Sequence, residues 1–349
     1  MARVLIEDYP HRLGGHCGSG ALRGLIEWAG LGWAGPPSEA LVFGMGGGLS
    51  FQYLQIPGLM PPLYFVGRTA DMELDLCARL GIDTRRDQTD DPALAWSWVT
   101  GELDAGRPVM VWADIMELPY LRVRLSNTRH DIVVIGYDTD AEIAYIVDND
   151  RDEVQTVPLQ ALAKARYSNG FPDPNQHATY PMRFPDRLPD LLSAARDAAA
   201  AAVANLHGIT QEPIGTAEAA LPPGSTRTLG LAGVEKFCHD VARWPADLTP
   251  DELGIALRTV RIFVEKAGTG GGFFRRLQSD FCNEVADLTG DKPYRAAADA
   301  YRDCANIWSR FAALATTDSP DLNALAACVA DLPAAEHRAA DALALAAAP

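Results

Sequence analysis

Gly14-Gly15-His16-Cys17-Gly18-Ser19-Gly20-Ala21-Leu22-Arg23-Gly24-Leu25-Ile26 sets one cysteine in a glycine-rich turn with a helical pattern directly behind it. Ala21, Leu22, Leu25, Ile26 and Ala29 recur at helical spacing, which predicts a buried helix face running from the thiol to about Ala29. A helix start carries partial positive charge and free N–H groups. Both favour the thiolate, the nucleophilic form of cysteine. The glycines leave room for a substrate carbonyl to approach the backbone. A buried structural cysteine beside a helix start has the same local signature, so a catalytic reading needs partners elsewhere in the chain.

The flanking sequence supplies a mixed pattern. Residues 4–6 read as a short edge strand, and 38–43 as a short helix with Ser38 as its N-cap. Gly44-Met45-Gly46-Gly47-Gly48 lacks the Gly-Lys-Ser/Thr ending of a phosphate loop and reads as a tight turn packed near the active site. A strand at 63–66 and helices at 71–80 and 92–103 come next. Apolar runs at 107–112, 130–137 and 143–148 read as strands, the last two joined as a hairpin. A short helix at 158–166 and a strand at 180–184 close this part.

From residue 188 strand patterns vanish, and apolar residues recur at three and four as in a helical bundle. Helices are predicted at 188–206, 231–242, 249–267, 272–288, 293–315 and 322–347, the last interrupted by Pro333. A polar loop spans 211–227. The expected fold class is α+β: a mixed domain over 1–187 followed by an all-helical domain over 188–349.

Composition excludes several functions. Among 349 residues, 46 are acidic and 30 basic, a net charge of −16, so no basic face for nucleic acid is expected. The six cysteines show no CxxC or Cys/His metal spacing, and no metal or cofactor is expected. No secretory signal or membrane-length apolar run is evident, which predicts a cytoplasmic protein with reduced thiols.

A nucleophilic cysteine needs a base, and the base an orienting group. His130 begins one hairpin strand and Asp148 ends the other, so the pairing brings them together. Cysteine on a helix, then histidine and aspartate on consecutive strands, is the order of papain-like enzymes. Asp131 and Asn149 are rivals for the orienting role, although alternation points Asp131 away from the face of His130. The Cys17 N–H is one oxyanion donor. His11 stands six residues before Cys17, where papain-like enzymes usually place a glutamine donor. His16 and Ser19 are candidates for shaping the turn. Arg122, Arg124 and Arg129, just before His130, are either a basic rim for an acidic partner or a solvated loop.

Gly15-His16-Cys17-Gly18-Ser19-Gly20-Ala21-Leu22, Ser38 through Phe51, and Arg129-His130-Asp131-Ile132-Val133-Val134-Ile135-Gly136-Tyr137 with Asp148 together resemble the N-terminal domain of the butirosin biosynthesis protein H family. The region after about 190, with Gly270-Gly271-Gly272-Phe273-Phe274-Arg275-Arg276, is similar to the uncharacterised helical domain that accompanies it. The resemblance implies a papain-like fold used for acyl transfer from a carrier-protein thioester, tethered to phosphopantetheine, to a small-molecule amine. Cys17 would hold the acyl group, His130 would move protons and Asp148 would orient His130. Arg275 is either a phosphopantetheine or acceptor contact, or helix surface. The same residues would serve a peptidase, amidase, thioesterase or cyclase, and a non-catalytic shell is the remaining alternative. The oligomeric state is left open.

Overall fold

A computed structural model describes residues 3–209, 221–316 and 319–348; positions 211–220 of the expected 211–227 loop lie outside the described residues. The chain begins with β1 (Arg3–Leu5), α1 (Cys17–Trp28), α2 (Glu39–Met45), β2 (Leu49–Gln55), β3 (Leu63–Arg68), α3 (Met72–Leu80), β4 (Asp83–Thr84) and α4 (Pro92–Asp104). β5 (Val109–Ala113), β6 (His130–Asp138), β7 (Ile143–Val147), β8 (Gln155–Pro158), α5 (Leu159–Ala165), β9 (Thr179–Tyr180) and β10 (Met182–Arg183) follow. The rest is α6 (Leu191–Leu206), β11 (Thr226–Leu229), α7 (Gly230–Asp247), α8 (Pro250–Arg261), α9 (Arg275–Thr289), α10 (Lys292–Leu314), α11 (Leu322–Ala330) and α12 (Leu332–Ala347).

The described chain divides into two compact units, one of residues 3–42 and 76–189, the other of 43–75, 190–209, 221–316 and 319–348. The units change at 189/190, close to the expected boundary after 187, but 43–75, expected in the first domain, clusters with the second. The chain leaves the first unit within α2 and returns to it within α3.

In the first unit a six-stranded sheet has the order β8-β7-β6-β5-β9, and β1 adds to β6 beyond the end of β5. β6 is central because Ile132, Val133, Val134 and Ile135 are all buried, so both faces can be covered. One face packs Val111, Ile132, Val134 and Ile146 against Val99 and Leu103 of α4 and Leu162 of α5. α1 packs against β6. A side chain at Gly136 would bring its Cβ within 2.3 Å of the Val4 carbonyl, so β1 needs a glycine there to pair. The expected strand over 180–184 is split at Pro181, which has no N–H to give a ladder: β9 pairs with β5 and β10 with β4.

The second unit is not all-helical. β11, β2 and β3 form an antiparallel sheet beside α6 to α12. Its aromatic face explains the partition. Phe51 lies 6.0 Å from Trp308 and 5.9 Å from Phe237, and Phe65 lies 4.8 Å from Phe237. Each such ring removes a large apolar area from water, enough to draw the hairpin into the helical core. The Gly44–Gly48 run also belongs to this unit. A Cβ on Gly44 would strike the Phe281 ring at 2.0 Å, and Gly46 and Gly48 are pressed on Met72. The run is a packing device within this unit.

Arg275 is corrected as well. Its side chain is fully buried. Nε pairs with Glu336 Oε1 at 2.8 Å, Nη1 donates to the Phe273 carbonyl at 2.9 Å and Nη2 to the Ser50 carbonyl at 3.3 Å. Trp308 Nε1 donates to the same Glu336 oxygen at 2.8 Å. This arginine braces β2 against the helices and is closed to a carrier or acceptor. No described helix is long and apolar enough to cross a membrane.

Candidate active site

Cys17 is the first residue of α1. His16 is its N-cap, with extended backbone, and the His16 Nδ1 accepts the Ser19 N–H at 3.2 Å. A ring nitrogen thus does what a serine or aspartate oxygen usually does at this position. Glu39, from α2, supplies the rest. Its carboxylate accepts the Gly15 N–H at 2.8 Å, the His16 N–H at 2.7 Å and the Ser19 hydroxyl at 3.1 Å. A carboxylate is favoured there by the positive end of the helix. As the first residues of α1, Cys17 and Gly18 have backbone N–H groups with no acceptor within the helix. Gly20 presses on Asn149: a Cβ on it would come within 2.8 Å of the Asn149 Cβ. Asn149 Nδ2 donates to the Gly14 carbonyl at 3.1 Å, and the Gly14 N–H donates to the Asn149 carbonyl at 3.0 Å. The glycines of this turn therefore serve packing on the segment after β7.

That segment delivers Asp148. β6 and β7 pair as Val133 with Val147 and Val134 with Ile146, so the residues beyond them, His130 and Asp148, share one end of the hairpin. His130 Nε2 lies 2.8 Å from Asp148 Oδ2. The Cys17 sulfur acts on the His130 ring as well, favouring its protonated form. Tyr120 donates its hydroxyl to Asp148 Oδ2 at 2.7 Å, and the Asp150 N–H donates to Oδ1 at 3.0 Å.

Both partners of the pair are buried. For Asp148, burial pushes the carboxyl pKa up, but the His130 charge and hydrogen bond, the Asp150 N–H and the Tyr120 hydroxyl outweigh it and hold it at about 2. For His130, burial disfavours the imidazolium, but the Asp148 charge and hydrogen bond and then the Cys17 contact raise its pKa well above the ordinary 6.5. The arrangement can hold an imidazolium next to a thiol sulfur at neutral pH and can shuttle one proton between them.

The other sequence candidates fall into three groups. His16 and Ser19 build the helix start, as above. His11 Nε2 donates to the Arg151 carbonyl, so that ring nitrogen is already engaged. Arg122 and Arg124 are exposed, whereas Arg129 is half-buried, pairs with Asp173 at 2.8 Å and stacks over Trp112 at 4.8 Å. Of the rivals to Asp148, Asn149 is bonded to Gly14. Asp131 does not bond His130, as alternation implies; its Oδ2 accepts from the Cys17 thiol at 3.7 Å. Glu39 and Tyr120 were not among the sequence candidates. The only signal for Glu39 was its place at a second helix start, and Tyr120 sits in a loop with no pattern at all.

Fold and site define a mixed α/β protein in which a helix-start cysteine faces an imidazole–carboxylate pair. The chain belongs to the butirosin biosynthesis protein H family: the model described as Butirosin biosynthesis protein H, N-terminal, matches residues 16–149, and Domain of unknown function (DUF4872) matches residues 160–343. The first match contains Cys17, His130 and Asp148. The family is a biosynthetic one by that description. No curated protein matches the chain.

Proposed function

We propose that this protein is a papain-like cysteine acyltransferase of specialised metabolism, with Cys17, His130 and Asp148 as its triad. The observation that carries the reading is the buried His130–Asp148 pair, 2.8 Å apart at one end of the hairpin, whose imidazole also feels the Cys17 sulfur at the start of α1. Cys17 attacks the carbonyl of a thioester donor, carrier-bound or free. The departing thiolate takes the proton held by His130, and the acyl group rests on Cys17 as a thioester. His130, now neutral, accepts a proton from the attacking amine. Collapse of the tetrahedral adduct releases the amide and restores one shared proton to the cysteine–histidine pair. The N–H groups at the start of α1 stabilise the oxyanion in both halves. Membership in a natural-product biosynthetic family supports transfer over proteolysis.

The test is intact-protein mass spectrometry after mixing with an acyl N-acetylcysteamine thioester and then an amine. An acyl adduct on Cys17 that the amine discharges as an amide is expected. Cys17→Ala should carry no adduct. Release only as the free acid would make the protein a hydrolase, and amide formation undiminished in Cys17→Ala would remove the reading.

A further inference from the structure

We propose that Tyr120 is a positioning residue that sets the strength of the base: its hydroxyl shares one Asp148 oxygen with His130 and so keeps the imidazole ready to take a proton from the amine. The inference rests on the acyltransfer reading above. Tyr120 donates to Asp148 Oδ2 at 2.7 Å, and His130 Nε2 lies 2.8 Å from the same oxygen. The Asp150 N–H goes to the other oxygen, Oδ1, at 3.0 Å. A donor that served only to hold Asp148 would do as well on either oxygen, whereas a donor on Oδ2 competes with the ring. The tyrosine is held from two sides. Arg151 Nη2 donates to the Tyr120 carbonyl at 2.8 Å, and the guanidinium lies 5.8 Å from the centre of the Tyr120 ring. The Arg151 N–H in turn donates to the Asp148 carbonyl at 3.1 Å. Burial, and then the Asp148 charge and hydrogen bond, raise the Tyr120 pKa well above the ordinary 10, so the hydroxyl stays a donor wherever the enzyme works.

The two halves of the reaction ask opposite things of His130. The first starts from the imidazolium, whose proton leaves with the donor thiol. The second needs the neutral ring: the amine N–H proton passes to it as the C–N bond forms, and the C–S bond breaks to return the sulfur to the pair. Beside a buried carboxylate, a neutral imidazole is prone to take a proton from solvent instead, and that proton disarms the base. Once Cys17 is acylated its sulfur carries no charge, so Asp148 is the chief group still favouring the imidazolium. A hydroxyl on Oδ2 withdraws part of the charge that the ring meets, and the neutral form then persists to lower pH. The other charges around the ring are placed differently. Asp131 lies against the Cys17 sulfur, 3.7 Å away. Asp150 senses the ring from an exposed position, and Arg151 opposes it in sign. Tyr120 acts on the oxygen that His130 itself uses.

The test compares the wild type with Tyr120→Phe, which removes the hydroxyl and leaves the ring and the carbonyl that Arg151 holds. Each full chain is acylated by an acyl N-acetylcysteamine thioester and discharged by methoxyamine, which stays neutral around pH 7, so the pH profile reports the enzyme. In Tyr120→Phe the discharge profile should move to higher pH, and the rate on its rising limb should fall about threefold or more, a fraction of one hydrogen bond to a charged group. Acylation of Cys17 should not fall with it. In a Cys17→Ala background, where no sulfur titrates with the ring, NMR should show His130 titrating higher in Tyr120→Phe than with Tyr120 present, the reverse of the effect of Asp148→Asn. A hydroxyl that merely braced the loop would loosen the His130–Asp148 pair when removed, and the ring would titrate lower. A His130 titration that falls or stays, or a discharge profile that keeps its place on the pH axis, overturns the proposal. If the wild type forms no Cys17 adduct, the acyltransferase reading has failed, and the titration alone then decides whether Tyr120 weakens the hold of Asp148 on the ring.

Discussion

At Asp148 three donors converge on a single carboxylate, and their combined effect sets the protonation of the site. His130 and Tyr120 share Oδ2 and the Asp150 N–H takes Oδ1. The pKa of Asp148 is held at about 2, below its ordinary 3.8, so this carboxylate stabilises the fold above pH 3.8 and loses that contribution as pH falls toward 2. His130 is raised, so its contribution is complete below the ordinary 6.5 and is lost as pH rises through its folded-state value. The excess stability of the wild type over Asp148→Asn should therefore be greatest between these two ordinary values and shrink on both sides. Urea unfolding across pH reads this. In Asp148→Asn the His130 ring should also titrate lower by NMR, and Cys17 acylation should slow by roughly a hundredfold or more. An unchanged histidine titration would show that Asp148 does not control the ring. The Cys17–His130–Asp148 grouping was legible in the sequence because a hairpin joins its far ends by local pairing alone. That Asp131 meets the Cys17 sulfur was not legible, because alternation says which face a strand residue takes and not which atoms of another element reach it.

The start of α1 shows how an element is built from pieces far apart in the chain. Its periodicity and glycine-rich turn announce it, and it begins at Cys17 as expected. What holds it is Glu39, more than twenty residues away, accepting two backbone N–H groups and the Ser19 hydroxyl. Replacing Glu39 by Ala leaves those donors without their acceptor and should cost about 2 kcal/mol in denaturant unfolding. Glu39→Gln keeps an acceptor oxygen and should recover part of that. If both variants match the wild type, the turn is held by His16 and Asn149 alone. Pro333 illustrates the opposite case. The helix predicted over 322–347 does break, at Asp331, and Pro333 sits in the first turn of α12, where its missing N–H is not needed.

For the molecule as a whole, the partition into units and the family segments do not coincide. The N-terminal match over 16–149 contributes 43–75 to the second unit. The fully buried Arg275–Glu336 pair lies in that unit and holds β2 through Ser50. Glu336→Gln leaves a buried guanidinium without its charge partner and should destabilise the protein by roughly 3–5 kcal/mol, whereas the double change Arg275→Met with Glu336→Leu should cost far less. Chemical denaturation of both variants decides this, and equal losses in the two would show that the pair acts through packing alone. By itself the sequence determined most helices and strands, the cysteine at a helix start and its pairing with His130 and Asp148, because periodicity and hairpin connectivity are properties of neighbouring residues. Only the tertiary structure decided that a stretch read as part of the first domain joins the helical unit, that Arg275 is interior, and that Asp131 and Glu39 meet the nucleophile turn. Those outcomes depend on which aromatic faces and buried charges find each other across the chain, and no local pattern carries that information.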